Sequence, residues 1–349
     1  MKTQLLLIFL WCSVIHSFGQ KILFIHHSTG GNVYRQGNVA AWMTNYNTTH
    51  SKDYQLTERA YPDSPYPWEN YPYDYWNLWV NPASTCNSSN ANIECINSLV
   101  QKYNVIIFKH CFPGAGIGAD QATSTVSSNV KTLGNYKLQY RALRAMMDGY
   151  PSNKFIVWTL APLHRNATSA AEAARAKQFV DWVKNTWLTE DGKSHPNIYI
   201  FDFWGIVAET NPTPTSGQVN CLKYAYEGDH NGSDSHPNLT ANQVAGPLFG
   251  QCIINAIENK TTPVPVIKST GETSLFPNPS DGKISITIPN LPSGGVNLKV
   301  SNSSGQVVFQ TLLITNTTPL NLSFLGHGLY ACTIQTNEET EAIKLMIVK

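Results

Sequence analysis

A serine and a histidine placed far apart in the chain carry the clearest chemical signal. Ser28 follows an apolar run in ILFIHHSTGGN and precedes a Gly-rich turn, so its hydroxyl can project at a strand end beside free backbone N–H groups. His236 lies in GDHNGSDSHPNLTANQ, before a proline and a helical pattern. A serine attacks an acyl carbon only when a base accepts its proton. The pair therefore predicts acyl transfer, with Ser28 as nucleophile and His236 as base.

The remaining members of such a site are less sharply defined. Asp234, two residues before His236, is the favoured partner that orients the imidazole, and Asp229 is the alternative. Donors to the oxyanion remain open among residues of the first loop and of the stretch FKHCFPGAG, namely Gly31, Asn32, Lys109 and His110.

A metal or a cofactor is not required by this chemistry. His26 and His27 are adjacent on a strand, so their side chains point to opposite faces and are a poor metal pair. No Cys/His spacing is typical of structural zinc. We therefore expect neither a metal nor another cofactor.

The segment YPDSPYPWENYPYDYWNLW is the second unusual feature. Its prolines argue against a helix, and its aromatic rings could stack on sugars while nearby carboxylates accept hydroxyl hydrogen bonds. The substrate-binding candidates are Trp68, Tyr73 and Trp76. Packing of these rings on the sheet is the alternative. Asp63, Glu69 and Asp74 also raise the lower-ranked reading of a two-carboxylate glycosidase.

The elements that would position these residues alternate between strands and helices. Apolar strands are predicted at 22–25, 105–108, 155–160 and 198–203, with helices at 93–103, 126–147, 170–188 and 241–257 between or after them. Continuous apolar strands separated by helices indicate a parallel sheet covered on both faces, with working residues beyond the carboxyl ends of the strands. The fold class is α/β, a flavodoxin-like parallel sheet between helices.

The two ends of the chain differ from this body in composition and in the pattern of their apolar residues. Met-Lys, an apolar run and Ser17-Phe18-Gly19 predict a signal peptide over 1–19, with the mature chain starting at Gln20. The body spans 20–260, and a Pro/Thr/Ser-rich linker spans 261–273. Short alternating strands over 274–349 predict a small antiparallel β-sandwich. No segment of the mature chain is long and apolar enough to cross a membrane.

Composition and cysteine content narrow the class of protein further. The net charge is +1 and only 13% of residues are charged, which gives no electrostatic case for binding nucleic acid. Export permits disulfides. Cys86 and Cys95 flank a polar loop and are a plausible pair, Cys221 and Cys252 are a second candidate pair, and Cys111 is expected to be a buried thiol.

The C-terminal part resembles a known sorting domain. LFPNPSDGKISI, GLYACTI and KLMIVK are similar to the type A sorting domain of the type IX secretion system. The resemblance implies a Bacteroidota-type bacterium, passage through the outer membrane by the type IX machinery, and removal or anchoring of the domain there. The protein is then secreted or held on the outer cell surface.

The body resembles the SGNH (GDSL-like) hydrolases in the order of its motifs. The family's serine follows the first strand, and its base histidine lies in a late Asp-x-x-His motif. FIVWTLAPLHR with AAEAARAKQFVDWV is similar to the family's fourth-strand segment and the helix after it. The family's Gly-Asp-Ser is His26-His27-Ser28 here, the acidic position of its histidine motif is Ser233, and the Asn of its third-strand block is missing.

These observations predict a secreted SGNH-like serine hydrolase that cleaves esters, with deacylation of a polysaccharide as the expected reaction. Its partners would be a glycan or another ester substrate and the type IX machinery. A non-catalytic glycan-binding surface protein on the same fold is the alternative, and a glycosidase is the third hypothesis.

Overall fold

The computed structural model describes residues 19–214, 216–259, 273–288, 291, 295–302, 306–335 and 340–349. The predicted signal peptide and linker lie outside these residues except for Gly19 and Thr273. Within the body, five strands form one parallel sheet in the order β2-β1-β3-β4-β5. The strands are β1 (Gln20–His26), β2 (Tyr54–Ala60), β3 (Val105–Phe108), β4 (Lys154–Trp158) and β5 (Ile198–Phe201).

Eight α-helices accompany this sheet among the described residues. They are α1 (Ser28–Gln36), α2 (Val39–His50), α3 (Pro72–Trp79), α4 (Ile96–Lys102), α5 (Leu133–Asp148), α6 (Ala170–Asn185), α7 (Phe203–Val207) and α8 (Leu239–Ile257). The predicted α/β class with a parallel sheet is confirmed. The strand order is the doubly wound order in which the chain reverses direction across the sheet between β1 and β3.

Successive side chains of a strand point to opposite faces of the sheet, so the strands contribute to two separate hydrophobic cores. Leu23 and Ile25 of β1 pack into one core with α5 and α6, whereas Ile22 and Phe24 pack into the other with α8. Trp158 of β4 is fully buried in this second core. Both faces of the sheet are therefore covered, as continuous apolar strands predict.

Several elements differ from the sequence-based expectation, among them β2, α1 and α5. The edge strand β2 was missed because YQLTERA is polar and only partly buried. Helix α1 was read as a turn because its first turn contains Gly30 and Gly31; its packing on α8 offsets their low helix propensity. The helix predicted over 126–147 begins only at Leu133, where the Thr132 side chain accepts a hydrogen bond from Asn135 N.

The C-terminal part consists of two antiparallel sheets. One has the order β10-β7-β6 and the other β12-β11-β8-β9. Ile286 from the first sheet and Leu298 from the second share one apolar cluster, so the sheets enclose a core of their own. The strands are β6 (Ser274–Phe276), β7 (Lys283–Thr287), β8 (Val296–Ser301), β9 (Val307–Leu313), β10 (Thr317–Asn321), β11 (Gly328–Gln335) and β12 (Thr340–Ile347).

The cysteines follow the sequence-based expectation in part. Cys86 and Cys95 form a disulfide with their Cα atoms 5.0 Å apart, and Cys111 is a buried free thiol, as predicted. The pairing of Cys221 with Cys252 is wrong, because both are free. The Cys221 thiol donates a hydrogen bond to the carbonyl of Gln218 instead.

Loss of the disulfide is expected to destabilise the body. On the loop-entropy model, Cys86→Ser should lower the free energy of unfolding by roughly 2–3 kcal/mol, because the bond closes a short loop that the unfolded chain would otherwise leave free. Chemical denaturation measures this difference. Cys252→Ser, which removes a free thiol, is the control. A loss in Cys86→Ser no larger than in the control would contradict the prediction.

Candidate active site

The ends of β1 and β3 lie at one level of the sheet. Ile25 pairs with Phe108, so the residues that follow each strand emerge side by side at the carboxyl edge. His26 Nε2 lies 2.6 Å from Glu58 Oε2, whereas His27 Nε2 lies 2.6 Å from the Pro62 carbonyl. The two imidazoles thus have separate partners. Among the described residues, no group of three His, Cys, Asp or Glu side chains is arranged to hold a metal.

Ser28 is exposed at the first position of α1, and its neighbour comes from the segment that follows β3. Its Oγ lies 3.1 Å from Cys111 Sγ, and Thr29 Oγ1 lies 3.1 Å from the same sulfur. Because helix N–H groups of the first turn lack carbonyl partners within the helix, the N–H groups beside Ser28 favour negative charge. An exposed hydroxyl at a helix N-terminus suits a nucleophile that generates an oxyanion.

The four oxyanion candidates occupy different environments. Asn32 lies one helical turn after Ser28 and is half-buried. Gly31 is a buried glycine of α1, against the guanidinium of Arg35. Lys109 is fully buried beside the site.

His110 fits the role of oxyanion donor poorly. Its ring is sealed in the core among Tyr75, Phe108 and Tyr140, and burial, with a smaller effect of Lys109, lowers its pKa to about 3. Neither ring nitrogen has a hydrogen-bond partner in the described part of the chain. Because the His110 ring has no exposed surface, it is poorly placed to donate a hydrogen bond to an oxyanion that forms at the exposed Ser28.

His236 and Asp234 form a close pair on the loop before α8. Asp234 Oδ1 lies 2.6 Å from His236 Nδ1 and also accepts a hydrogen bond from the His236 backbone N–H. A carboxylate at Nδ1 fixes the tautomer that leaves Nε2 free to accept a proton. Burial alone would raise the pKa of Asp234, but its bonds to His236 outweigh burial and lower it. Asp229, the alternative, accepts from Asn231 N instead.

The imidazole of His236 reaches the stretch that contacts Ser28. Its ring packs edge-to-face on Phe112, with the ring centroids 4.8 Å apart. Phe112 directly follows Cys111, whose sulfur contacts Ser28 Oγ. The two predicted catalytic residues therefore contact adjacent residues of one segment.

Residues after β4 hold the loop that carries this pair. Asn166 Nδ2 donates to the Gly232 carbonyl at 2.8 Å, and the His164 backbone N–H donates to Ser235 Oγ at 2.8 Å. Arg165 bonds the buried carboxylate of Glu227. The loop thus has fixed anchors on both sides of Asp234 although it contains no helix or strand.

The aromatic segment is only partly available for a substrate. Trp68 is 37% exposed, and one face of its indole stacks on the His27 ring at 3.7 Å, next to Ser28. Tyr73 is half-buried. The assignment of Trp76 to substrate binding is wrong, since only 6% of its surface is exposed. The expectation of no helix here is also wrong, because Pro72 occupies the first turn of α3, where a missing N–H is tolerated.

The carboxylates of this segment have structural partners. Asp63 accepts from Ser64 N and from the Trp68 indole N–H. Glu69 pairs with Lys131 at 2.9 Å. Asp74 accepts N–H bonds at the start of α3, and burial raises its pKa to about 6 against these bonds.

The two tryptophans should respond differently to replacement. If this segment binds a glycan, as the sequence predicts, Trp68→Ala should weaken that binding by about 1 kcal/mol, because it removes an exposed aromatic face. Trp76→Ala should instead lower the unfolding free energy by roughly 3–5 kcal/mol, because its ring is buried. Affinity electrophoresis and thermal melting separate the effects. A collapse of the melting temperature in Trp68→Ala with unchanged binding per folded molecule would refute the assignment.

The sequence did not indicate two contacts, one of Ser28 itself and one of the adjacent His27. Cys111 was expected only as a buried thiol, although its place after β3, next to β1 in the sheet, was the available signal. The stacking of Trp68 on His27 had no such signal, because it depends on the path of an irregular loop.

Comparison with known proteins identifies the C-terminal domain. Residues 274–349 match the family model of the secretion system C-terminal sorting domain. A search of the curated proteins finds no match. The predicted sorting domain is therefore confirmed, and the chain is directed by the type IX secretion machinery to the cell surface or the outside. Among the described residues, no helix has the length and apolarity of a membrane span.

Solved structures show only weak likeness to the chain. A putative platelet activating factor from Streptococcus pneumonia is 10% identical over 70% of this chain and 86% of its own, with a TM-score of 0.34. A carbohydrate esterase with divergent catalytic and non-catalytic binding functions is 13% identical over 69% of both chains, with a TM-score of 0.31. PorZ from the type IX system of Porphyromonas gingivalis is 18% identical over 24% of this chain and 12% of its own, at 0.20. These TM-scores are too low to support an argument about fold or function.

Proposed function

We propose that the body is an SGNH-like serine hydrolase that removes acyl groups from an extracellular polysaccharide. The observation that carries the proposal is the Asp234–His236 pair, whose imidazole packs on Phe112, next to the residue that contacts Ser28 Oγ. The place of Ser28 after β1 and of His236 before α8 supports the same family order. Ser28 follows β1, and His236 packs on Phe112 in the segment after β3. Both residues therefore lie at the carboxyl edge of the parallel sheet, where the active sites of such folds form.

The reaction would follow the logic of a serine triad. Ser28 Oγ attacks the acyl carbon as His236 Nε2 takes its proton, and Asp234 stabilises the imidazolium. The sugar hydroxyl leaves with that proton, and water then hydrolyses the acyl-serine by the same steps in reverse. First-turn N–H groups of α1 and the side chain of Asn32 are the groups available to the oxyanion, whereas Lys109 has no exposed surface and is set aside on the same ground as His110.

The substrate class is suggested by the surface beside the serine. One face of the Trp68 ring stacks on His27, and its indole N–H donates a hydrogen bond to Asp63. These contacts fix the orientation of the ring, so its other face is preorganised for stacking on a sugar. Export places this face outside the cell, where polysaccharides occur. An acylated sugar stacked on Trp68 would lie close to Ser28.

The same exposed indole favours a second candidate, a glycan-binding protein without catalysis. Hydrolysis of an aryl acetate by the full chain separates the two, because a binding protein retains glycan affinity but releases no acid above the background rate. The three carboxylates of the aromatic segment support a glycosidase less well, because each is committed to a local partner.

The acid that orients His236 can be assigned by two matched variants. Asp234→Asn should lower kcat for aryl acetate by roughly 10²–10⁴-fold, because the amide no longer selects the productive tautomer. Asp229→Asn should have little effect, since Asp229 contacts its own turn. A larger loss in Asp229→Asn than in Asp234→Asn would overturn this assignment.

A further inference from the structure

Lys109 and Cys111 are buried together beside Ser28. Lys109 is 0% exposed and Cys111 is 1% exposed. The stem of Lys109 runs against the first turn of α1, since a Cβ on Gly30 would lie only 2.7 Å from Lys109 Cδ and 2.5 Å from His26 Cβ. The absence of a side chain at Gly30 is what admits the lysine here.

The charge of this lysine is not balanced by a carboxylate. Lys109 Nζ has no hydrogen-bond partner, whether oxygen, nitrogen or sulfur, among the described residues. Burial, and after it the charge of Lys109, lower the pKa values of His26 and His110 to about 3, so these two imidazoles are neutral at neutral pH. Burial also lowers the pKa of His27, against a hydrogen bond to the Pro62 carbonyl that raises it. A buried ammonium without a partner is costly. Burial lowers the pKa of Lys109, and Cys111 is the acidic group that opposes this effect by favouring the charged ammonium.

The surroundings of the sulfur suit an anion. Ser28 Oγ and Thr29 Oγ1 both lie 3.1 Å from Cys111 Sγ, and the sulfur sits at the N-terminus of the nine-residue helix α1. Burial alone would raise the pKa of Cys111, but Lys109 and the hydrogen bonds from Ser28 and Thr29 outweigh burial and lower it. A thiolate only accepts hydrogen bonds, so both hydroxyls would donate to it.

We propose that Lys109 and Cys111 form a buried ammonium–thiolate pair and that Cys111 is a positioning residue for Ser28. The role of the pair in hydrolysis rests on the proposed function. With its hydrogen directed to sulfur in the resting site, Ser28 presents its Oγ lone pairs to the exposed side, where the acyl carbon arrives. The hydrogen turns to His236 as attack begins, and no bond to sulfur forms.

Ultraviolet absorbance of the thiolate tests the pair without any assumption about catalysis. The difference spectrum of the wild type minus Cys111→Ala should show a thiolate at neutral pH, which disappears on acidification. The other free thiols are silent there, because burial raises the pKa of Cys221 to about 11 and those of Cys252 and Cys332 to about 12. In Lys109→Met, checked for folding by its melting curve, the thiolate should appear only at higher pH. A wild-type thiolate that appears only above the ordinary thiol pKa of roughly 8.5 would overturn the pair.

Kinetics of aryl acetate hydrolysis test the positioning role. Cys111→Ala should lower kcat roughly 10- to 100-fold with KM unchanged, because Ser28 loses its fixed direction. Cys111→Ser, which keeps a hydrogen-bonding atom but stays neutral, should recover only part of the loss, whereas Cys252→Ser should match the wild type. Full activity in Cys111→Ser would overturn the need for the charge. Hydrolysis that survives Ser28→Ala would refute the proposed function and leave the spectroscopic result on the pair standing.

Discussion

Ser28→Ala and His236→Ala are each expected to lower kcat for a small ester on the order of 10⁴-fold or more. Ser28 supplies the attacking oxygen, and a serine without a base is a weak nucleophile at neutral pH. His236 is held by Asp234 with Nε2 free, which is the form that accepts a proton. Initial rates with an aryl acetate and the full chain measure both losses.

The double variant distinguishes a catalytic unit from two independent effects. Ser28→Ala/His236→Ala should be little worse than either single variant, because residues that act as one unit are not additive. Ser89→Ala and His50→Ala, at exposed positions outside the site, serve as matched controls and should keep full activity. Losses that multiply in the double variant would mean that the two residues do not act on the same step.

Deletion of residues 274–349 is expected to stop export almost completely. The sorting domain is the signal that the type IX machinery reads, and it has its own strands and its own apolar core. The truncated protein should remain inside the cell envelope, with the amount outside reduced by more than about tenfold, since no sorting signal of this kind remains. Immunoblots of cell and medium fractions measure the distribution.

A reporter provides the control for this deletion. Fusion of residues 260–349 to an exported reporter should direct that reporter to the cell surface or the medium. Hydrolysis by the truncated body, released from cells, should persist, because the predicted catalytic residues all precede the linker. Truncated protein in the medium at the wild-type level would contradict the role of the domain.

The sheet could be predicted from the sequence wherever burial left an apolar pattern. Four strands were predicted because they are apolar on both sides, whereas the edge strand β2 carries Glu58 and Arg59 and resembles a loop. The start of α1 was hidden for a related reason, since its glycines are poor helix formers in isolation and the helix depends on packing against α8. Tertiary contacts decide both cases.

The part of the candidate site that depends on residues close together in the sequence could be predicted. Asp234 and His236 are two residues apart, so their contact follows from one short loop. The contact of Ser28 with Cys111 joins positions 83 residues apart and depends on the neighbouring places of β1 and β3 in the sheet. The burial of Trp76 depends on helix α3, which was not predicted because the segment contains several prolines.

Covalent labelling of the full chain by a fluorophosphonate tests the central claim most directly. The oxygen of an activated serine displaces fluoride from the probe and becomes phosphonylated, and digestion with mass spectrometry locates the modified residue. The account predicts a single adduct on Ser28, at a rate that falls sharply in His236→Ala, with no adduct in Ser28→Ala. Ester hydrolysis by the wild type with Ser28 unmodified, or an adduct on another serine that abolishes activity, would contradict it.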